Sequence, residues 1–298
     1  MCAAMGNEEY SPALKKEIER YLQTGDYDLY YQAWPEGGIL HRAQMMEAVL
    51  RKELIARTRD CAREASKPLT IPEMDFTALT RTKVVPMVHG LFPQAEHEVV
   101  VGVLEKSVVF LTPDSIAGIL EKAGFLGTAW NLANLYLTSI GASCLSEEAI
   151  RLAGLSEETT CFVSMGYFTE KDRFADFIVH EAAHIFHNCK RETIGLPHTR
   201  TREWLLEIDY RKRETFAYAC EAYSRILELG RTGAQRKALL KEYEANSLTG
   251  DERVDDGEIV DILAEGISAR NGWKRILKRC APQKRKPHSE AIGSVSGN

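Results

Sequence analysis

The strongest constraint in this sequence is the stretch TEKDRFADFIVHEAAHIFHNCK (residues 169–190). Its apolar stripe through Phe174, Phe177, Ile178 and Ile185 demands burial, while His180, Glu181 and His184 resist it. A start signal in Thr169 and Asp172, and Asn188 with Lys190 near the end, predict one helix across the stretch. At about 100° per residue the two histidines of His180-Glu181-Ala182-Ala183-His184 lie about 40° apart on one face, one turn from each other. Both imidazoles then reach a single tetrahedral zinc ion. Glu181 lies on the neighbouring side of the same turn, close enough to take a proton from a water on that ion and not obliged to coordinate it. With eight histidines in 298 residues, such a pattern is expected by chance only about 0.02 times per chain. Ala182, Ala183, Ile185 and Phe186 are uncharged, as a buried helix that shows only three polar groups to a cleft requires.

Zinc needs a third protein ligand and an open position. Closure by a histidine six residues on is excluded, because position 187 is His rather than Gly and position 190 is Lys. The leading donor is Glu214, at the start of Glu214-Thr215-Phe216-Ala217-Tyr218-Ala219-Cys220-Glu221, where Ala217 permits close packing on the histidine helix. Glu221, Glu207, Asp209, His187, His198 and Cys144 are the alternatives.

The rest of the chain frames this segment. Helices are expected over 12–23 and 39–65, with Met45, Ala48, Val49 and Leu54 at helical spacing, ending where Lys67-Pro68 and Ile71-Pro72 push the backbone out of the α region. Residues 98–111 (EVVVGVLEKSVVFL) have the β-branched runs and polar break of a hairpin, and 159–168 (TTCFVSMGYF) reads as a strand. Helices are expected between residues 113 and 155, over 204–228, over 235–246 and over 258–277.

A net charge of −5 gives no global reason for a nucleic-acid or anionic-membrane partner. Residues 270–286 (RNGWKRILKRCAPQKRK) carry eight Lys or Arg and no acid, so a nucleic-acid contact there is the one exception to weigh against a solvated helix end. No stretch has the roughly 18 uncharged apolar residues of a spanning helix, and MCAAMGNEEYSP lacks the profile of a signal peptide. A cytoplasmic protein with no membrane partner is expected. The seven cysteines are scattered and never form CxxC, which argues against a disulfide framework or a thiolate zinc cluster.

The strand at 159–168, the His-Glu-Ala-Ala-His helix and a following helix that opens with a glutamate resemble the zincin fold, and in particular the gluzincin-type metallopeptidases such as thermolysin. The resemblance covers about residues 95–230, and its specificity lies in the histidine motif. It implies His180, His184 and Glu214 as zinc ligands, Glu181 as general base, and residues 159–168 as the edge strand along which a peptide substrate lies. Two departures stand out. Tyr218 occupies the place of the carboxylate expected four residues after the ligand glutamate, and the gap of roughly thirty residues from His184 is longer than in thermolysin. Glu221 or Asp209 are the candidates to orient a ligand histidine instead. Ser143-Cys144-Leu145-Ser146 is similar to the cysteine motif of peptide deformylases, but those enzymes have Asp where this chain has Ala183, and Cys144 is followed by helical sequence.

The expected protein is therefore α+β: a mostly helical zincin-like domain with a small β-sheet beside the motif helix, preceded by N-terminal helices. The expected divisions are an N-terminal helical region over 1–67, a zincin-like metallohydrolase domain over 68–282 and a disordered basic tail over 283–298. Its expected activity is zinc-dependent hydrolysis of peptide bonds, with His198, Tyr210, Tyr218 or Tyr223 as the second electrophile for the oxyanion. The rivals are a regulator that senses metal or cleaves one dedicated partner, and a scaffold that zinc merely stabilises. The general-base glutamate argues against the scaffold, because a structural site usually fills its fourth position with a protein ligand.

Overall fold

The computed structural model describes residues 10–30, 32–35, 37–65, 74–146, 154–157, 159–246 and 249–282. The expected boundary at residues 67 and 68 and the basic tail at 283–298 lie outside the described residues. What is described is a mostly helical α+β fold with a small three-stranded sheet.

Two helices open it, α1 (Pro12–Thr24) and α2 (Ile39–Arg63), as the periodicity predicts. Ser11 caps Leu14 N and Pro12 supplies the first helical φ, while Gly25, at φ 77°, ends α1 in a left-handed cap closed on Tyr21 O. These helices share a core with α5 (Ile116–Lys122) and α6 (Leu126–Ser139), built on the fully buried Tyr21, Leu50, Leu54, Leu132 and Leu137. Polar groups stitch the same contact. Tyr21 donates to Leu126 O at 2.8 Å, Trp130 Nε1 donates to Leu22 O at 3.0 Å, and Arg51 donates to Leu120 O and Ala123 O.

The sheet has the order β1 (Val108–Leu111), β3 (Thr160–Ser164), β2 (Gly154–Glu157), with β1 parallel and β2 antiparallel to β3. Alternation along β3 divides two cores. Phe162 faces the N-terminal helices, while Cys161 and Val163 face the helix that carries the histidine motif. The segment 159–168 is thus the central strand, shorter than expected because residues 165–169 wind into a 3-10 turn, and the edge beside the motif belongs to β2.

The hairpin expected over 98–111 is instead α4 (His97–Ser107) running into β1. Val100, Val101 and Leu104 are buried while Val99 is exposed, which is helical period; the β-branched run obeys its burial face rather than its intrinsic preference. Before it stands α3 (Phe76–Leu91), which the patterning does not announce because Pro86 lies within it.

The motif helix α7 (Phe177–Asn188) starts seven residues later than its cap signal implied. Asp172 closes a local turn on Phe174 N, and Asp176 makes the real cap, accepting from Val179 N. Likewise α8 (Arg213–Leu229) begins nine residues later than expected, because residues 204–209 fold back on α7: Leu206 N donates to Phe186 O and Leu205 N to Cys189 O. After α9 (Gly233–Asn246), the helix expected over 258–277 is two, α10 (Asp256–Ser268) and α11 (Gly272–Cys280), divided where Asn271 caps Lys274 N. No helix among the described residues is long and apolar enough to cross a membrane. The six cysteines among them are free thiols.

Candidate metal centre

Ile178, Val179, Ala182, Ala183, Ile185 and Phe186 are all fully buried, so α7 is gripped by the sheet on one side and by α8 and α3 on the other. Only a narrow stripe is left, and His180, His184 and His187 fall on it at spacings of four and three residues. This stripe forms one wall of a cleft of about 1370 Å³, whose other walls include Leu155 of β2, Glu214 and Tyr218 of α8, and Asp251 and Arg253 of the connection before α10.

Three ligand-type atoms converge there. His180 Nε2 and His184 Nε2 are 3.3 Å apart, and Glu214 Oε2 lies 3.8 Å from the first and 3.5 Å from the second. Zinc with bonds of about 2.1 Å in a tetrahedron sets its ligands about 3.4 Å apart along each edge, so the triangle is the size that such an ion requires. Among the described residues, these three are the group of His, Cys, Asp or Glu that could hold a metal ion.

The orientation of each ligand has a visible cause. His180 Nδ1 donates to Glu221 Oε2 at 2.9 Å, which turns Nε2 into the triangle. Glu221 lies seven residues after Glu214, two turns along the same face of α8, and its other oxygen accepts from Asp176 N at 2.7 Å. Asp176 in turn lies 3.0 Å from Lys83 Nζ of α3, which also reaches Glu228 at the end of α8 at 2.8 Å. On the opposite side, Arg253 Nη1 donates to Glu214 Oε1 at 2.8 Å, leaving Oε2 to face the imidazoles, and Asp251 braces the guanidinium at 2.9 Å.

The electrostatics favour a cation. Burial works against a charged His180, yet the Glu221 hydrogen bond and the charges of Glu221, Glu181 and Glu214 carry its pKa up to about 9. A metal at the triangle would replace that proton, the usual exchange on binding an imidazole ligand. Burial raises the Glu181 carboxyl, with the two histidines pulling the other way. Glu214 is lowered despite burial, through its hydrogen bond to His184 and the nearby positive groups. His187, by contrast, is driven down to about 3, first by burial and then by His184 and Arg213.

The structure therefore brings His180, His184 and Glu214 together with Glu181 on the same helix turn, and it separates the alternatives. Glu221 orients His180 rather than joining the triangle. Glu207 accepts from Glu203 N and Trp204 N, and Asp209 caps Arg211 N. His198 is half-exposed beside Glu192, and Cys144 meets Thr138 Oγ1 at 3.2 Å away from the cluster. His187 packs against His184, with ring centroids 5.3 Å apart, outside the triangle. Of the oxyanion candidates, Tyr218 stands edge-on to His180, 4.6 Å between ring centroids, and lines the cleft with the exposed Tyr210. Tyr223 is buried against Trp273 and Gly266 instead. Arg253, Asp251 and Gly154 escape sequence reasoning: the first two sit in a polar connection, and Gly154 opens β2 where helix was expected up to residue 155, with no spacing relation to the motif. The chain matches no protein-family model, no curated protein and no solved structure.

Proposed function

We propose that this chain is a zinc-dependent hydrolase of peptide bonds, with His180, His184 and Glu214 as metal ligands and Glu181 as general base. The observation that carries the reading is the triangle of ligand atoms with edges of 3.3–3.8 Å, opening on a large cleft with a buried carboxylate at its side. Three protein ligands with room for a fourth is the donor set of catalytic rather than structural zinc. Zinc bound there supplies Lewis-acid chemistry, polarising a scissile carbonyl and bringing the pKa of water toward about 7.

The chain's own groups do the rest. Glu181 takes the proton of the attacking water and passes it to the leaving amine, and its burial-raised pKa brings it closer to the working range of a base that must also act as an acid. Tyr218 lines the cleft beside His180, its hydroxyl 3.5 Å from Asp251 Oδ2, and in this reading it donates a hydrogen bond to the developing oxyanion. The edge of β2 that no other described strand pairs with offers main-chain groups to an extended peptide, with Leu155 on the cleft wall.

The nucleic-acid reading of residues 270–286 finds less support. Arg275 pairs with Glu265 at 2.6 Å and Arg279 shares the same carboxylate, so α10 offsets part of the positive charge of α11. The test is the metal content of the wild type and of Glu181→Ala, followed by a peptide-library assay of both. About one zinc in each with cleavage by the wild type alone is the expected result. Zinc without cleavage points to a regulator or scaffold, and no metal overturns the reading.

A further inference from the structure

Gly154 begins the edge strand β2 and pairs with Val163 of β3. It is not one of the glycines with positive φ, so the backbone there does not call for glycine. Space does. A Cβ built at Gly154 falls 2.7 Å from both Cγ and Cδ of Glu181, and closer still to Oε1. Real side chains do not approach so near, so any other residue forces something to move. The strand is held by its ladder to β3, with Leu155 opposite Phe162, and the Glu181 backbone is locked in α7. The part free to yield is the Glu181 side chain.

We propose that Gly154 is a positioning residue for Glu181: the missing side chain at the start of the edge strand is the seat of the carboxylate. Among the described residues, no hydrogen bond holds that carboxylate, and its surroundings act on it through burial and the charges of His180, His184, Glu214 and Glu221. Shape therefore does for Glu181 what Glu221 does for His180 and Arg253 for Glu214. Gly154 is also one of the residues lining the cleft, so strand and base share a boundary. The proposal rests on Glu181 being the base. The three atoms nearest the added one all belong to Glu181, so a change at residue 154 bears first on the base.

The test uses the full chain in four forms: wild type, Gly154→Ala, Glu181→Ala and the double variant. Crystal structures and thermal midpoints are read first, since neither needs turnover. In Gly154→Ala the Glu181 carboxylate should shift by about 1 Å, with the His180, His184 and Glu214 atoms unmoved and zinc still bound. Such a displacement costs about 100-fold in kcat, with KM within about threefold. The thermal cost of Gly154→Ala should vanish when Glu181 is also alanine, because the crowding partner is gone. Should Gly154→Ala fail to fold, recovery of folding in the double variant carries the same meaning. An unmoved carboxylate, an equal thermal cost in both backgrounds, or failure of both variants to fold overturns the proposal. A wild type that binds zinc and cleaves nothing overturns the hydrolase reading instead, and the structural and thermal comparison still decides the seat.

Discussion

Two clusters of buried charge lie along α7 and just beyond its end, and they are balanced in opposite ways. Beyond the end, the fully buried Arg191 gives Nη2 to Glu96 at 2.6 Å, Nε to Pro197 O and Nη1 to Leu205 O, and Arg202 covers Glu96 from outside. The two buried charges there, Arg191 and Glu96, match one to one, and the carbonyls that Arg191 binds belong to the connection that folds back on α7. Along the helix, Glu181, Glu214 and Glu221 gather around two imidazoles that are neutral in their ordinary state, and one of these is driven to hold a proton. A buried cluster complete in itself locks a loop; a buried cluster with a surplus of donors is arranged for a cation from outside.

That contrast breaks first at Glu181. Replacing it with alanine should lower turnover by about 10³-fold or more while the zinc content stays at one per chain, since a positioned base contributes up to about 10⁴-fold. Loss of metal with Glu181 would make it a ligand and dissolve the distinction between triangle and base. The next largest effect belongs to the other cluster. Arg191→Met leaves a buried carboxylate short of its partner and should cost about 3–5 kcal/mol in urea unfolding. The paired change Glu96→Met with Arg191→Met should recover much of that loss, because the desolvation penalty disappears with the charges. If Arg191→Met removed zinc without changing stability, the two clusters would be one system.

The unequal legibility of these regions has a physical origin. His180, Glu181 and His184 are visible because their spacing is set by one helix and needs no knowledge of the rest. Glu214 is within reach of inference because Ala217 marks a close-packing face. Glu221 could be named only as one candidate among several, since the choice between four and seven residues after Glu214 depends on how α8 crosses α7. Arg253 and Gly154 act through contacts between elements far apart in sequence, and no local pattern records them. The same rule explains the fold. Alternation and periodicity predict α1 and α2, whereas α4 looks like strand because its valines satisfy either period until burial decides, and the true start of α7 depends on Asp176 finding Lys83 and Glu221.

A smaller effect tests how the ligands are held. Glu221→Gln keeps an acceptor for His180 Nδ1 and removes the charge, so zinc affinity should fall by about 10–100-fold with the fold intact. Competition with a chelator, compared with the wild type at the same pH, measures it. An unchanged affinity would mean that packing against Tyr218 fixes the His180 ring without help from the carboxylate.

The smallest effect should come from Arg253. Its side chain is 66% exposed, and its bond to Glu214 is shared with the brace from Asp251. Solvent screens such a pair, so Arg253→Met should change zinc affinity by less than about tenfold. Its specific consequence is geometric. With Oε1 released, Glu214 becomes free to offer both oxygens to a metal, which X-ray absorption of the zinc-loaded variant would register as a change in the number of oxygen neighbours. A coordination shell identical to that of the wild type would show that α8 alone sets the carboxylate, and that the connection before α10 borders the cleft without shaping the metal site.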